Sequence, residues 1–261
     1  MLRPLIRAVT RCAFILTLIP TAWAQSDPAS DPAAGGHALP APFGLGLTVY
    51  SQTQDYKLAG LDLGIPGFET VETESLPVAN RTDSFHLKLD YWVLPFLNLY
   101  AIGGRLETTT TVRLSGVETG LPFRLENLRI ENDGWVYGGG LTMAGGWDQW
   151  FATLAVTYTE ADLEVTDGSV EAWVLTPKLG YTLSRGAVWV GAMYQDTEER
   201  HKGTYNVPLI GDVPFEVVLG EATAWNGLVG GTAGLTDHLV LIIEAGFGAR
   251  QHTLLSLEYR F

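Results

Sequence analysis

Residues Ser84–Gly104 read SFHLKLDYWVLPFLNLYAIGG. In the first ten, Phe85, Leu87, Leu89, Tyr91 and Val93 alternate with Ser84, His86, Lys88, Asp90 and Trp92. Side chains of an extended chain point alternately to opposite faces, so a period of two builds one apolar and one polar face. Leu94-Pro95-Phe96 breaks the pattern, and a second extended run begins at Leu97. Proline cannot donate to a ladder and here marks a tight turn. The stretch is a β-hairpin, apolar on one face and charged on the other.

The same period recurs along most of the chain. Trp150, Ala152, Leu154, Val156 and Tyr158 oppose Phe151, Thr153, Ala155, Thr157 and Thr159. Leu239, Leu241, Ile243, Ala245 and Phe247 oppose Val240, Ile242, Glu244, Gly246 and Gly248. Leu255, Leu257, Tyr259 and Phe261 oppose Leu254, Ser256, Glu258 and Arg260. Ten strands are expected, near 43–51, 82–94, 97–107, 133–145, 149–161, 170–183, 187–197, 222–234, 239–249 and 253–261. Their connections alternate. Leu94–Phe96, Gly145–Asp148, Ser184–Gly186 and Thr236–His238 are tight turns, whereas 52–81, 108–132, 162–169 and 198–221 are mostly long loops. That layout predicts an all-β fold: a transmembrane antiparallel up-and-down β-barrel of about 10 strands. Eight or twelve strands are also compatible, because 108–132 has room for another hairpin.

A secreted sandwich would alternate too, but it would hold its rings at mid-strand. Here Trp92, Phe96, Trp147, Trp150, Phe151, Tyr181, Trp189, Tyr259 and Phe261 fall near the tight turns. Tyr50, Phe85, Trp135, Tyr137, Tyr158, Trp173, Tyr194, Trp225 and Phe247 fall near the long loops. Two belts of rings are expected where strands cross two membrane interfaces.

Arg3, Arg7 and Arg11 precede the apolar run Ala13–Ile19, followed by the small-x-small triplet Ala22-Trp23-Ala24. Residues 1–24 therefore read as a cleaved signal peptide, too short in its apolar run to span a membrane. The Pro-, Ala- and Gly-rich stretch 25–42 reads as a flexible periplasmic linker, and 43–261 as the barrel. Cys12, the single cysteine, lies in the leader, so the mature chain has no disulfide, thiolate metal site or cysteine nucleophile. The leader holds three of the 16 basic and none of the 29 acidic residues, leaving 13 against 29, a formal charge of −16. That sign excludes nucleic acid as a partner.

The ending LLSLEYRF (Leu254–Phe261), with Leu257, Tyr259 and Phe261 on the apolar face, resembles the carboxy-terminal signal of Gram-negative outer-membrane barrels. DYWVLPFLNLYAIGG (Asp90–Gly104) and EAGFGARQHTLLSLEYRF (Glu244–Phe261) are also similar to segments of small uncharacterised outer-membrane proteins of proteobacteria. The resemblance implies recognition by the outer-membrane assembly machinery; the barrel reading adds outer-membrane lipid and lipopolysaccharide as expected partners, and a monomer as the expected state. The resemblance implies no activity.

The polar face collects His86, Lys88, Asp90, Lys178, Glu244, Glu258 and Arg260, with Arg250 near the outer rim. Such a cluster is either a charged eyelet for solutes or a salt-bridged filling. Similar numbers of both signs favour filling in so narrow a barrel. The function expected is a structural barrel or a narrow small-solute passage. Binding through the long loops, which carry more acidic than basic residues, is a second reading. An outer-membrane hydrolase, lipid-modifying or proteolytic, is a third. Omptin proteases, also ten-stranded, use Asp and His at the outer rim, whereas Asp237-His238 sits in a tight turn at the other end. His201 lies in a charge-rich loop and His252 lacks an obvious third partner. No nucleophile, zinc or phosphate motif occurs, so no catalytic residue, metal or cofactor is assigned.

Overall fold

The computed structural model describes residues 41–63, 77–113, 127–164, 168–207, 211–221 and 224–261. The leader and nearly all of the linker lie outside them. Among the described residues, eleven strands run in chain order: β1 (Phe43–Leu63), β2 (Pro77–Leu94), β3 (Leu97–Val112), β4 (Leu128–Trp147), β5 (Trp150–Leu163), β6 (Gly168–Leu183), β7 (Gly186–Val207), β8 (Gly211–Glu221), β9 (Trp225–Gly234), β10 (Leu239–Phe247) and β11 (Arg250–Arg260). Among the described residues, no helix is long and apolar enough to cross a membrane.

Each strand pairs antiparallel with the next from β1 to β7, β7 continues to β9, β10 and β11, and β11 closes on β1. The closing register runs from Gly44↔Arg260 to Gln54↔Arg250. The fold is a closed ten-strand antiparallel barrel. Closure leaves no edge with unpaired backbone groups.

The eleventh strand is a correction to the expected loop 198–221. That segment continues β7 and turns back as β8, which pairs Val207↔Gly211 to Glu199↔Leu219 along β7. The other side of β8 pairs with the upper half of β1, from Tyr56↔Glu221 to Leu63↔Phe215. Two closed rings therefore share strands β1 to β7. Ten strands close through β9, β10 and β11, and eight close through β8 above them. The β10–β11 hairpin ends beneath β8 in a tight turn, with Gly248 at a φ of 122° that favours glycine.

The strands also extend further toward the long-loop end than the alternating runs. In β2 and β3, Asn80, Arg81 and Thr82 pair with Thr110, Thr109 and Thr108. Here both faces are polar, so alternation of polarity vanishes while threonine keeps the chain extended. The possible extra hairpin at 108–132 is partly this pairing of β3 with β4; residues 114–126 lie outside the described ones.

Parity sorts the faces. Leu45, Leu47, Val49, Phe85, Leu87 and Leu89 are exposed on the outside of the barrel, as are Val188, Val190, Leu255 and Leu257. Rings bracket this band. Trp150 and Tyr181 meet at 5.2 Å near the tight turns, and Tyr158 and Trp173 at 5.0 Å toward the loops. Eight residues separate the two pairs along β5 and β6. At about 3.4 Å per residue and a tilt near 40°, the band is about 21 Å high. That is close to the roughly 25 Å of an outer-membrane barrel.

Four expected belt residues point inward instead. Trp189 is buried with Met193 and Leu228, Phe151 packs on that cluster, and Tyr50 stacks on His252 at 5.6 Å. The indole nitrogen of Trp92 is buried. Position along the chain suggests the belt, but parity assigns the face.

Candidate functional site

The interior holds the charged residues in two groups. At the tight-turn end, β1, β2 and β11 lie side by side, with Gly44 opposite both Asp90 and Arg260. A Cβ at Gly44 would strike the Asp90 carboxylate and the Arg260 guanidinium, so the glycine leaves the room in which they meet. Arg260 Nη1 donates to Asp90 Oδ1 at 2.6 Å, and Asn98 Nδ2 donates to the same oxygen at 2.7 Å. Lys88 bonds Glu258 and lies 3.7 Å from Asp90 Oδ2. Arg260 Nη2 lies 3.6 Å from Glu258 Oε2, which closes the network. The Asp90 side chain has 0% exposure. A carboxylate so far from water is tolerable only because two cations and an amide surround it.

The second group lies further up. Glu244 accepts from Lys178 Nζ at 2.5 Å and from Trp189 Nε1 at 2.9 Å, and His252 Nε2 lies 3.5 Å from its other oxygen. Lys178 Nζ also sits 5.0 Å from the centroid of the Trp189 ring, in cation–π range. That ring lies over Gly230, where a Cβ would come within 2.7 Å of it. Ile242, whose inward apolar side chain is unusual for a barrel lumen, packs against this Trp189–Met193–Leu228 cluster.

The structure thus brings six of the eight sequence-derived lumen residues together in these two groups; His86 lines the lumen outside both, and the eighth, Arg250, is buried. Its Nε donates to Gln54 Oε1 at 2.6 Å and its backbone N–H to Asn226 Oδ1 at 3.3 Å. Lys88, Lys178 and Arg260 each meet one or more of Asp90, Glu244 and Glu258. The lower lumen is electrically balanced.

Above and between the two groups is a cavity of about 450 Å³. Lys88, Asn98 and Glu258 line its floor, while Asp90 and Arg260 lie outside the lining. One wall is polar: Thr48, Tyr50, Ser84, His86 and Ser256 from β1, β2 and β11. The facing wall, from β4 to β7, is mixed: Val136, Leu163, Val170, Val174 and Met193 are interspersed with threonines and Gln195. Toward the loops, Asn80 bonds Thr108 at 3.0 Å and Thr110 at 2.9 Å, and Gln195 bonds Thr197 at 2.7 Å. The uncharged residues of this chamber escape a search for charge and motif. Parity would have placed them, once the ring order was known.

Outside the cluster, His238 has an ordinary setting. His238 is exposed in its turn, where Thr236 Oγ1 accepts from the backbone N–H of Leu239 at 3.0 Å and its ring faces the carbonyl of Arg260 at 3.0 Å. The side chain of His201 lies outside the described residues. On the outer face, Leu257, Tyr259 and Phe261 are exposed, and Phe261 stacks on Phe43 and on Tyr259, each at 6.1 Å.

No family model and no curated protein matches the chain. Solved structures that it resembles are outer-membrane β-barrels. The outer membrane protease OmpT from Escherichia coli is 7% identical with a TM-score of 0.46, over 85% of this chain and 97% of that one. The transport unit of the autotransporter AIDA-I from Escherichia coli is 10% identical with a TM-score of 0.43, over 91% and 95%. An outer-membrane channel from Pseudomonas putida F1 is 11% identical with a TM-score of 0.40, over 89% and 100%.

Proposed function

We propose that the chain is an integral outer-membrane β-barrel of a Gram-negative envelope, with its lumen closed at the tight-turn end and a solute-accepting chamber above the closure. The observation that carries this reading is the balanced network of Lys88, Asp90, Asn98, Glu258 and Arg260 beneath the cavity. A charged eyelet that selects ions needs charge left over to attract them. Here each cation already has its carboxylate. The apolar outer band between two belts of rings supports placement in a lipid bilayer, with the tight turns on the periplasmic side. Leu257, Tyr259 and Phe261 would then present their side chains to lipid and serve the assembly machinery as its recognition strand.

The reading is tested in a planar bilayer. The wild-type barrel is expected to show no steady conductance, whereas Lys88→Ala or Glu258→Ala opens a leak and lowers stability. A wild type that already conducts steadily, with ion preference altered by the same substitutions at unchanged stability, would make it an open solute passage instead.

A further inference from the structure

We infer that the chamber is a binding site for one small neutral amphiphile, with a hydroxyl or similar group on the β1–β2–β11 wall and an apolar body on the β4–β7 wall. The inference rests on the proposed closure, because only a closed floor makes the cavity an end point rather than a route. Three features of the chamber specify the ligand.

The first is size. About 450 Å³ would hold about fifteen waters at about 30 Å³ each, and so a ligand of about fifteen non-hydrogen atoms. The volume falls within the roughly 300–1,000 Å³ of small-molecule sites. The second is the division of the lining. A lumen needs no apolar residues for the barrel to close, and barrel interiors are usually polar. Yet Leu106, Ala161 and Leu163 form a buried cluster on the inside, packed by Val136 and Val170. In the register row of Val136 and Ala161, two strands before Val136, His86 lines the cavity with its Nδ1 buried and without a hydrogen-bond partner. Thr48 and Ser256 share its register row and bond each other at 2.8 Å. A turn of the His86 ring would bring its Nδ1 to a ligand hydroxyl beside Ser84. The third is charge. Lys88, Lys178, Glu244 and Glu258 reach the lining already paired. An ionic ligand would have to break a pair or remain uncompensated, and either is costly away from water.

The test uses three probes of one skeleton: 1-naphthalenemethanol, 1-naphthoate and 1-naphthylmethylammonium. The full barrel, methyl-labelled in nanodiscs of deuterated lipid, is titrated with each and read by NMR. The alcohol is expected to give NOEs from its ring to the methyls of Leu163, Val174 and Met193. It is also expected to bind at least about ten-fold tighter than either ion. Val174→Asn should weaken it at least about five-fold, and His86→Phe should weaken it with the ring NOEs kept. Heat-modifiable migration confirms that each variant is folded, and either substitution alone suffices. NOEs confined to outward methyls such as Leu89 and Val190, or equal affinity for an ion, would overturn the inference. A silent wild type that binds no alcohol removes the ligand and leaves the closure standing. A conducting wild type removes the closure.

Discussion

At the scale of single residues, Asp90 is the position on which the lower lumen depends. It accepts from Arg260 and Asn98 and lies beside Lys88. Replacing it with alanine leaves Lys88 and Arg260 with Glu258 as their one shared carboxylate in a largely buried site. Breaking a buried ionic group by removing one partner costs about 3–5 kcal/mol. Asp90→Ala should lose about that much stability in denaturant titrations of the lipid-embedded barrel. Asp90→Ala combined with Arg260→Met should recover part of it, because the surplus positive charge goes with the arginine. Recovery of nothing would show that the two act independently. These partners were not legible in the sequence. Asp90 and Arg260 are separated by 170 residues, and only closure of β11 on β1 puts them on either side of Gly44. That the residues face inward was legible, since Lys88 and Asp90 alternate with Leu87, Leu89 and Tyr91.

At the scale of strands, the two faces of β5 make opposite predictions. Leu154 pairs with Met143 and Pro177 on the outer face, and Thr157 lines the cavity. Leu154→Arg should cost about 2–4 kcal/mol by exposing a charge to the bilayer midplane. Thr157→Arg should cost less, because its guanidinium can reach polar groups and water inside. Equal costs would mean that β5 is assigned to the wrong faces. The missed strand β8 had a signal of its own. Val213, Phe215, Val217 and Leu219 alternate, but Pro214 and the charged approach from Glu198 to Lys202 read as loop. Propensity lost to tertiary pairing there, since β7 and β1 hold β8 on both sides. Val217 stands opposite Leu61 and His201. Val217→Pro removes a ladder donor, so hydrogen exchange should quicken in the upper halves of β1 and β7. Exchange in the β1–β11 register below should stay slow. Quickening throughout β1 would show that the two rings melt as one.

At the scale of the whole barrel, ring count sets width, because diameter grows with the number of strands. The eight-strand ring through β8 is therefore narrower than the ten-strand ring beneath it, and the chamber lies under a contracted collar. The tight-turn end is held differently, by Phe261 stacked on Phe43 and by its N–H donating to the Phe43 carbonyl at 3.1 Å. Phe261→Ser should reduce the fraction of heat-modifiable barrel recovered in the outer membrane, while Phe261→Tyr should keep it. Normal recovery of the serine variant would argue against an aromatic role at that position. The paired rings also bear on the order in which the chain closes. Once β8 docks on Tyr56–Leu63, the ends of an eight-strand circuit are already held together. The β10–β11 hairpin is local, joined by only Gly248 and Ala249, so inserting it beneath the collar adds little further loop-closure entropy. Pulse-labelling during refolding into lipid should then find the β1–β8 amides protected no later than those between β1 and β11. The collar becomes a clasp, and the last hairpin slides into a circle that has stopped wandering.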